Sequence, residues 1–213
     1  GTVEKKEGRF SVNEEEVIIV DLPGTYSLTA YSVEERVARN FIIEEKPALV
    51  VHVVDASNLE RNLYLTTQFM ELDVPVIIAL NMSDLAEARG YSIDIEMLSQ
   101  LFGVTIIPTI GHKNKGTEEL KTAIVKVAEN PEEYVPNDVG HGREIEDELK
   151  HLTTLLEKEK ALVSAVPARW FAIKLLEQDE EVQRMIHAQA ANSDEILAEA
   201  ELAMHRIERD FGD

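Results

Sequence analysis

Two short motifs in this sequence place functional side chains just beyond an apolar run. The first, D-x-x-G, spans residues 21–24 and follows the β-branched residues 17–20, a run typical of a buried parallel strand. An acid at the end of such a strand can hold magnesium, often through water, and Gly24 lets a backbone N–H approach a phosphate because glycine has no Cβ. Alone, the motif also fits an ordinary exit from a strand into a loop.

The second motif, N-x-x-D, spans residues 81–84 and follows the apolar run 74–80. A fixed carboxylate at Asp84 would accept hydrogen bonds from guanine N1–H and its exocyclic amine, a donor pair that adenine lacks, while Asn81 would brace the loop. The same residues also fit a helix N-terminus capped by Ser83 or Asp84. Because the two motifs occur in order with one helical crossover between them, the sequence favours a GTPase-type site at the carboxyl edge of a sheet.

Strands and helices alternate over the first 130 residues. This alternation predicts an α/β fold with a doubly wound, mostly parallel sheet. An edge hairpin turns at residues 13–14, and Ser32 is the expected cap of the first helix. The expected strands are 17–20, 48–54, 74–80 and 104–108; the expected helices are 33–42, 58–72, 95–102 and one that begins at 117, after a loop over 109–116.

The composition changes after residue 130, where Pro and Gly residues lie among acids. We therefore predict a GTPase domain over 1–130, a linker over 131–142 and a small all-α domain over 143–213. Its expected helices are 144–160, 168–176, 180–190 and 193–209. Its expected core residues are Trp170, Phe171, Leu175 and Leu176.

The charge balance excludes several classes of partner. Lys and Arg number 21 against 41 Asp and Glu, so the net charge is −20, which argues against direct binding of nucleic acid or anionic lipid.

The chain has no Cys, which excludes disulfides and thiolate metal sites. It has no apolar run of about 20 residues that could span a bilayer. Because it opens on Gly1, we expect it to be part of a longer product.

Other polar residues have simpler interpretations. The six histidines share no metal-ligand spacing, and His52, within a strand, is expected to serve packing. Acid-rich helices such as 177–181 are expected to be solvated faces. Lys113 and Lys115 fit either a phosphate contact or a mobile loop.

Several segments together resemble the FeoB family of prokaryotic ferrous-iron transport proteins. They are residues 2–8, 21–28, 53–65, 81–84 and, in the helical part, 169–176. The resemblance covers essentially the whole chain. It implies a P-loop GTPase domain followed by a helical domain that stabilises bound GDP. Both would lie at the cytoplasmic face of the cell membrane, joined to the membrane-spanning part of the same transporter, with GTP or GDP and Mg²⁺ as ligands.

On the phosphate side, the resemblance assigns roles to four residues. Thr2 corresponds to the switch-one threonine, which reaches magnesium and the γ-phosphate, and Asp21 to the acid on the magnesium side. Gly24 corresponds to the switch-two glycine, whose N–H senses the γ-phosphate. Thr25 stands where faster GTPases carry a water-orienting Gln, so we expect slow hydrolysis and a switch function.

On the base side, the resemblance assigns guanine selection to Asn81 and Asp84. Met82 stands where many GTPases place a Lys whose stem packs on the base, and its thioether can supply the same apolar contact. The loop expected to back the base comprises Thr109, Ile110 and Gly111. The family usually has Ser-Ala at the positions of Ile110 and Gly111, so here the Gly111 backbone is expected to hold the base.

The sequence departs from the family pattern at its start. The phosphate-binding motif G-x-x-x-x-G-K-[ST] does not occur in the 213 residues, and Gly1-Thr2 lacks an intervening valine. The central strand before that motif is missing with it, which would leave a gap in the sheet. We expect the sequence to be a truncated or edited form of a longer chain.

These observations leave three hypotheses of different classes. The first is a slowly hydrolysing GTP-binding switch that couples nucleotide state to Fe(II) uptake. The second is a non-catalytic interaction module derived from a GTPase fold, which binds no nucleotide by itself. The third, a GTPase of ribosome or tRNA maturation, is disfavoured by the net charge of −20. Homo-oligomerisation stays open.

Overall fold

The first two strands form a hairpin that ends at the first motif. A computed structural model describes residues 5–211. Strands β1 (Lys6–Val12) and β2 (Glu15–Asp21) pair antiparallel, as predicted. Asn13 and Glu14 connect them with φ of 49° and 71°, the left-handed conformation that two-residue hairpin turns require.

The prediction that residues 17–20 form a buried parallel strand is wrong. Ile18 is 53% exposed and Ile19 47% exposed. The reason is that, within residues 5–211, β2 pairs only with β1, in a two-stranded sheet separate from the parallel one. A β-branched run indicates a strand, whereas burial on both faces depends on neighbouring strands that the run itself does not specify.

Three parallel strands carry the second motif. Their order is β3 (Val50–Asp55), β4 (Val76–Asn81) and β5 (Thr105–Pro108). The central strand β4 is buried from Val76 through Leu80. Its register pairs Asp55 with Asn81 and Leu80 with Pro108, so all three strands end at the same edge. This edge is where parallel α/β sheets bind ligands.

Helices connect these strands and cover the sheet. Ser32 and Glu35 form a capping box at the start of the first helix, which confirms the predicted Ser32 cap. The helix after β4 begins at Ser83, so Met82 is its N-cap, and the Met82 side chain makes no capping hydrogen bond. The helices are α1 (Val33–Glu45), α2 (Leu59–Glu71), α3 (Ser83–Ala88), α4 (Ile95–Phe102) and α5 (Thr117–Glu129), with 3₁₀ turns at Ala56–Asn58, Gly111–Lys113 and Pro131–Glu133.

The chain divides into two compact units. The first contains the hairpin and the parallel sheet and extends to Val139, except for Glu71–Asp73. The second contains Glu71–Asp73 and the helical segment from Gly140 onward. Its helices are α6 (Arg143–Leu156), α7 (Lys160–Val163), α8 (Ala168–Leu176), α9 (Glu180–Gln189) and α10 (Ser193–Phe211).

The helical unit differs from the prediction in two places. The expected helix 144–160 ends at Leu156 because Glu159 is buried and its carboxylate accepts the backbone N–H groups of Ala191 and Asn192 instead. On α8, Leu176 is only half-buried, whereas Lys174 is fully buried and donates to Glu177 over 2.7 Å. No helix within residues 5–211 is long and apolar enough to cross a bilayer.

Candidate functional site

The loop after β5 is attached to the end of β4 by the side chain of Asn81. Its Oδ1 accepts the backbone N–H of Gly111 over 3.0 Å and the Thr109 hydroxyl over 3.4 Å. Thr109 also donates its backbone N–H to Leu80 O over 2.8 Å, which continues the pairing of β4 with β5. The predicted loop residues 109–111 therefore lie directly beside the N-x-x-D motif.

Asp84 presents its carboxylate next to this loop, at the start of α3. Its side chain is 32% exposed, and its Oδ2 lies 2.8 Å from Lys113 Nζ and 3.9 Å from His112 Nε2. Its Oδ1 accepts the backbone N–H of Leu85 over 3.0 Å. The hydrogen bond from Lys113 is the main cause that lowers the pKa of Asp84 below its usual value. The acid is therefore ionised at neutral pH, the form that accepts two hydrogen bonds from guanine.

Met82 occupies an exposed position between these two residues. Its backbone is left-handed, with φ of 59° and ψ of 32°, and the residue is 44% exposed. Few residues other than Gly, Asn and Asp adopt this conformation without cost. An exposed, flexible thioether beside Asn81 and Asp84 fits an apolar contact with a planar ring.

The phosphate-side residues lie on the segment after β2. Asp21 ends β2 with an exposed side chain, and Gly24 is exposed with no atom close enough to exclude a Cβ. Because neither crowding nor a positive φ requires glycine there, its role is not explained by the fold. The Thr25 hydroxyl donates to Ser27 O over 2.7 Å within the same loop. Thr2 lies outside the described residues.

Two groups of predicted site residues thus occur in the first unit. Asn81, Asp84, Thr109 and Gly111 are brought together, with Met82 and Ile110 adjacent in the chain. Among residues 5–211, no hydrogen bond or ion pair joins Asp21, Gly24 or Thr25 to this group.

Asp21 could supply one ligand to a magnesium ion, and the other ligands would have to come from elsewhere. An exposed carboxylate at a strand end fits the single protein acid that Mg²⁺ commonly takes beside phosphate oxygens and water. No group of three or more His, Cys, Asp or Glu within residues 5–211 could hold a metal by itself. Asp55, the other acid at a strand end, is occupied, because its Oδ1 accepts the N–H of Ser57 over 2.8 Å and its hydroxyl over 2.7 Å.

The loop between Gly24 and α1 is held by an acid that the sequence analysis did not assign to the site. Glu35 Oε2 accepts the Thr29 hydroxyl over 3.2 Å, the Tyr31 N–H over 2.9 Å and the Ser32 N–H over 3.3 Å. The spacing S-x-x-E of the capping box was the available signal. Glu35 thus fixes the path by which the loop enters α1.

A second anchor of this loop comes from α2. The Gln68 side-chain oxygen accepts the backbone N–H of Leu28 over 2.7 Å, and both residues are buried. Arg39 donates to Leu28 O over 3.3 Å. No local sequence pattern indicated Gln68, because the two residues are 40 positions apart.

Comparison with known proteins assigns the chain to a family. The protein-family model "Ferrous iron transport protein B" matches residues 1–124, and the protein-family model "FeoB cytosolic helical domain" matches residues 141–213. An Fe(2+) transport protein A/Fe(2+) transporter FeoB fusion protein of Porphyromonas gingivalis is 42% identical over 190 residues, which are 88% of this chain and 22% of that protein. The Fe(2+) transporter FeoB of Escherichia coli is 40% identical over 84% of this chain and 23% of its own length.

Solved structures give the same assignment. The mGMPPNP-bound NFeoB of S. thermophilus has a TM-score of 0.81 and 34% identity, and the match covers all of this chain and 76% of the other. The GDP-bound cytosolic domain of T. maritima FeoB has a TM-score of 0.82 and 28% identity, covering 99% and 85%. The chain spans less than a quarter of the curated relatives named above. It belongs to the FeoB family of ferrous-iron transport proteins, as that family's GTPase-type domain followed by its cytosolic helical domain.

Proposed function

We propose that this chain binds GTP and GDP, with Asp84 selecting guanine and Asn81 positioning the loop that backs the base. The hydrogen bond from Gly111 N–H to Asn81 Oδ1, 3.0 Å long, carries this proposal because it places that loop beside an ionised carboxylate. Asp84 then offers two acceptor oxygens to the two donors of guanine. The exposed Met82 side chain would pack on the ring.

Structures of related domains support a GTPase. The solved structures of S. thermophilus NFeoB include complexes with mGMPPNP and with GDP and AlF₄⁻, and those of the T. maritima FeoB cytosolic domain include GDP and GMPPNP forms. In this chain we assign Asp21 to the magnesium side and Gly24 to the γ-phosphate, with Thr2 as a further magnesium ligand implied by the family resemblance. The bound ion would neutralise phosphate charge.

We infer slow hydrolysis from the position after Gly24. Thr25 holds its hydroxyl toward Ser27 O and is too short to orient a water as a Gln does. A rate on the order of 10⁻³ s⁻¹ or lower is therefore expected without an activating partner. Replacing Thr25 with Ala should change a single-turnover hydrolysis rate by less than about threefold, and a larger loss would show that the hydroxyl takes part.

In the whole protein, this domain is proposed to couple nucleotide state to Fe(II) uptake through a membrane-spanning part. The support is its membership of a family whose curated members are named Fe(2+) transporters. We propose that residues 1–130 are the nucleotide-binding domain and 143–213 the helical domain, joined by 131–142. A slow GTPase on the cytoplasmic face is suited to switching rather than to driving rapid turnover.

A base-exchange experiment tests guanine recognition. Xanthine has a carbonyl where guanine has its exocyclic amine, so an amide at position 84 should recognise xanthine better than a carboxylate does. Fluorescent GDP is titrated with Mg²⁺ into the full-length gene product and into the 213-residue chain, with GTP, GDP, ATP and xanthosine diphosphate as competitors. Asp84→Asn should weaken GDP binding by about 10-fold or more and strengthen xanthosine diphosphate binding.

The possible results separate the hypotheses. Displacement by guanine but not adenine nucleotides, with the Asp84→Asn exchange, supports the proposal. Folded protein that binds no guanine nucleotide in either form would reject it and favour the interaction module. Equal displacement by ATP and GTP would show that Asp84 does not read the base.

A further inference from the structure

Lys113 contacts the acid that we assign to guanine recognition. Its ammonium group lies 2.8 Å from Asp84 Oδ2, and the two residues are 29 positions apart. The other carboxylate oxygen accepts the backbone N–H of Leu85. Both acceptor atoms of Asp84 are therefore engaged by this chain's own donors.

The turn that carries Lys113 is fixed, so the ion pair does not depend on a loosely tethered lysine. Lys113 N–H donates to Ile110 O over 3.0 Å, and Asn114 N–H donates to Gly111 O over 3.1 Å. Ile110 and Lys115 exchange two backbone hydrogen bonds of 3.0 and 3.2 Å. At the following Gly116, φ is +82° and an added Cβ would collide with the Pro108 carbonyl, which holds the turn against the end of β5.

We propose that Lys113 is a latch on the base-recognition site: its ammonium competes with the guanine base for the Asp84 carboxylate. This inference rests on the proposed function of Asp84. The guanine N1–H and amine need the oxygens that Lys113 and Leu85 engage. Each carboxylate oxygen can accept two hydrogen bonds, so the Leu85 N–H can stay on Oδ1 while the base binds there. On Oδ2 the proposed competition is for the same charged acceptor: the base takes the place of the ammonium, and Lys113 returns when the nucleotide leaves.

The latch sets affinity rather than specificity. It opposes every ligand that uses Asp84, so its removal should strengthen binding of guanine nucleotides without admitting adenine. The pair is partly exposed, with 56% of the Lys113 and 32% of the Asp84 side chain accessible. Partly exposed ion pairs contribute little interaction energy, and salt weakens them further. Removing the Lys113 ammonium is therefore expected to raise nucleotide affinity by about two- to fivefold at low salt.

The test compares two lysines of the same loop. Lys113→Met removes the ammonium and keeps an apolar stem. Lys115→Met makes the same charge change two positions away, at a residue that is not one of the two whose side chains pair with Asp84, His112 and Lys113. Dissociation constants for fluorescent GDP are measured with Mg²⁺ on the full-length gene product, at about 0.05 M and about 0.5 M salt. We expect Lys113→Met to bind about two- to fivefold tighter at low salt, with the gain shrinking at high salt, and Lys115→Met to match wild type.

A second readout does not need nucleotide. Carboxyl NMR of the ligand-free protein should show the pKa of Asp84 rising toward its usual value in Lys113→Met and staying lowered in Lys115→Met. An unchanged carboxyl titration overturns the latch by itself. This result would leave the proposed function untouched, since it concerns the ion pair alone.

The failures of the two proposals are distinct. One result overturns the latch alone: Asp84→Ala abolishes guanine nucleotide binding, whereas Lys113→Met leaves it unchanged or weakens it. This result still supports guanine recognition by Asp84. Absence of guanine nucleotide binding in wild type and in Lys113→Met rejects the proposed function and the competition with it.

Discussion

The side-chain oxygen of Asn81 lies 3.0 Å from the backbone nitrogen of Gly111, 30 residues further along the chain. This hydrogen bond joins the end of β4 to the loop after β5. Strand β4 is buried and pairs with a strand on each side, so Asn81 fixes the loop after β5, in which Thr109 is buried and Gly111 is exposed, to a rigid part of the sheet. A planar ligand could then be held between two elements that do not move independently.

Removing this hydrogen bond should loosen the loop and weaken guanine nucleotide binding. We expect Asn81→Ala to lower GDP affinity by about 2- to 12-fold, since a typical net hydrogen bond contributes about 0.5–1.5 kcal/mol. Asn81→Asp keeps an acceptor at the same atom and should retain most of the affinity. Titration with fluorescent GDP measures both, and equal losses in the two variants would contradict a role of the acceptor oxygen.

The buried contact between Gln68 and Leu28 should stabilise the loop that leads into α1. Gln68→Leu removes the acceptor and leaves the Leu28 N–H buried without it, at a cost of about 1–3 kcal/mol. Amide hydrogen exchange should show faster exchange over residues 25–32. Thr67→Val, on the same helix but with a hydroxyl that only bonds Tyr64 O, is the control. Unchanged protection of Leu28 in Gln68→Leu would refute the anchor.

Acidification should destabilise the first compact unit, which contains the parallel sheet, through His52. The ring is buried, its Nδ1 lies 2.8 Å from Thr66 Oγ1, and its edge packs on Phe69 at 5.4 Å. Burial lowers the pKa of His52 from its ordinary 6.5 to about 4. The unfolded chain therefore takes up a proton below about pH 6.5, whereas the folded protein does so only near pH 4, so stability falls as the pH is lowered through this window.

The expected loss is about 2 kcal/mol between pH 7.5 and pH 5. Hydrogen exchange of the β3 and β4 amides measures it in the unit that contains His52. His52→Asn cannot titrate and should remove most of this dependence, whereas His112→Asn, at an exposed histidine, should leave it in place. A wild-type protein equally stable at both pH values would contradict the assignment.

In the helical unit, Glu146 on α6 and Arg169 on α8 form a two-pronged ion pair, with both N···O distances 2.8 Å. The hydrogen bond from Arg169 is the main cause that lowers the pKa of Glu146 to about 2. Its stabilising effect is therefore full above the unfolded pKa of 4.5 and is lost as the pH falls toward 2. Because about a third of each side chain is exposed, we expect Arg169→Met to cost only about 1 kcal/mol at pH 7.

The single tryptophan reports this unit directly, because Trp170 is buried in α8 beside Arg169. Urea unfolding followed by Trp170 fluorescence should show the loss in Arg169→Met at pH 7 and a smaller difference near pH 3. Arg184→Met removes the same charge from an exposed position on α9 and should have little effect. A difference that persists unchanged at low pH would mean that Arg169 contributes by packing rather than by its charge.

Sequence reasoning located the elements of this fold well, because their signals are local. Ser32 capped α1 as predicted, the hairpin turned at Asn13 and Glu14, and α8 took the predicted bounds. The two motifs could be found because an acid, a glycine or an asparagine directly after an apolar run can be recognised from the linear sequence. The FeoB assignment rested on several such blocks together.

The sequence alone determined which residues could bind guanine and phosphate, because residue type and position at a strand end can be judged from adjacent residues. The tertiary structure decided which donors those residues meet: Gly111 on Asn81, Lys113 on Asp84 and Gln68 on Leu28. It also decided that Ile18 and Ile19 are exposed and that Val17 and Val20 are only partly buried. Burial and long-range hydrogen bonds depend on which segments the fold brings together, and no local pattern records partners 29 to 40 positions away.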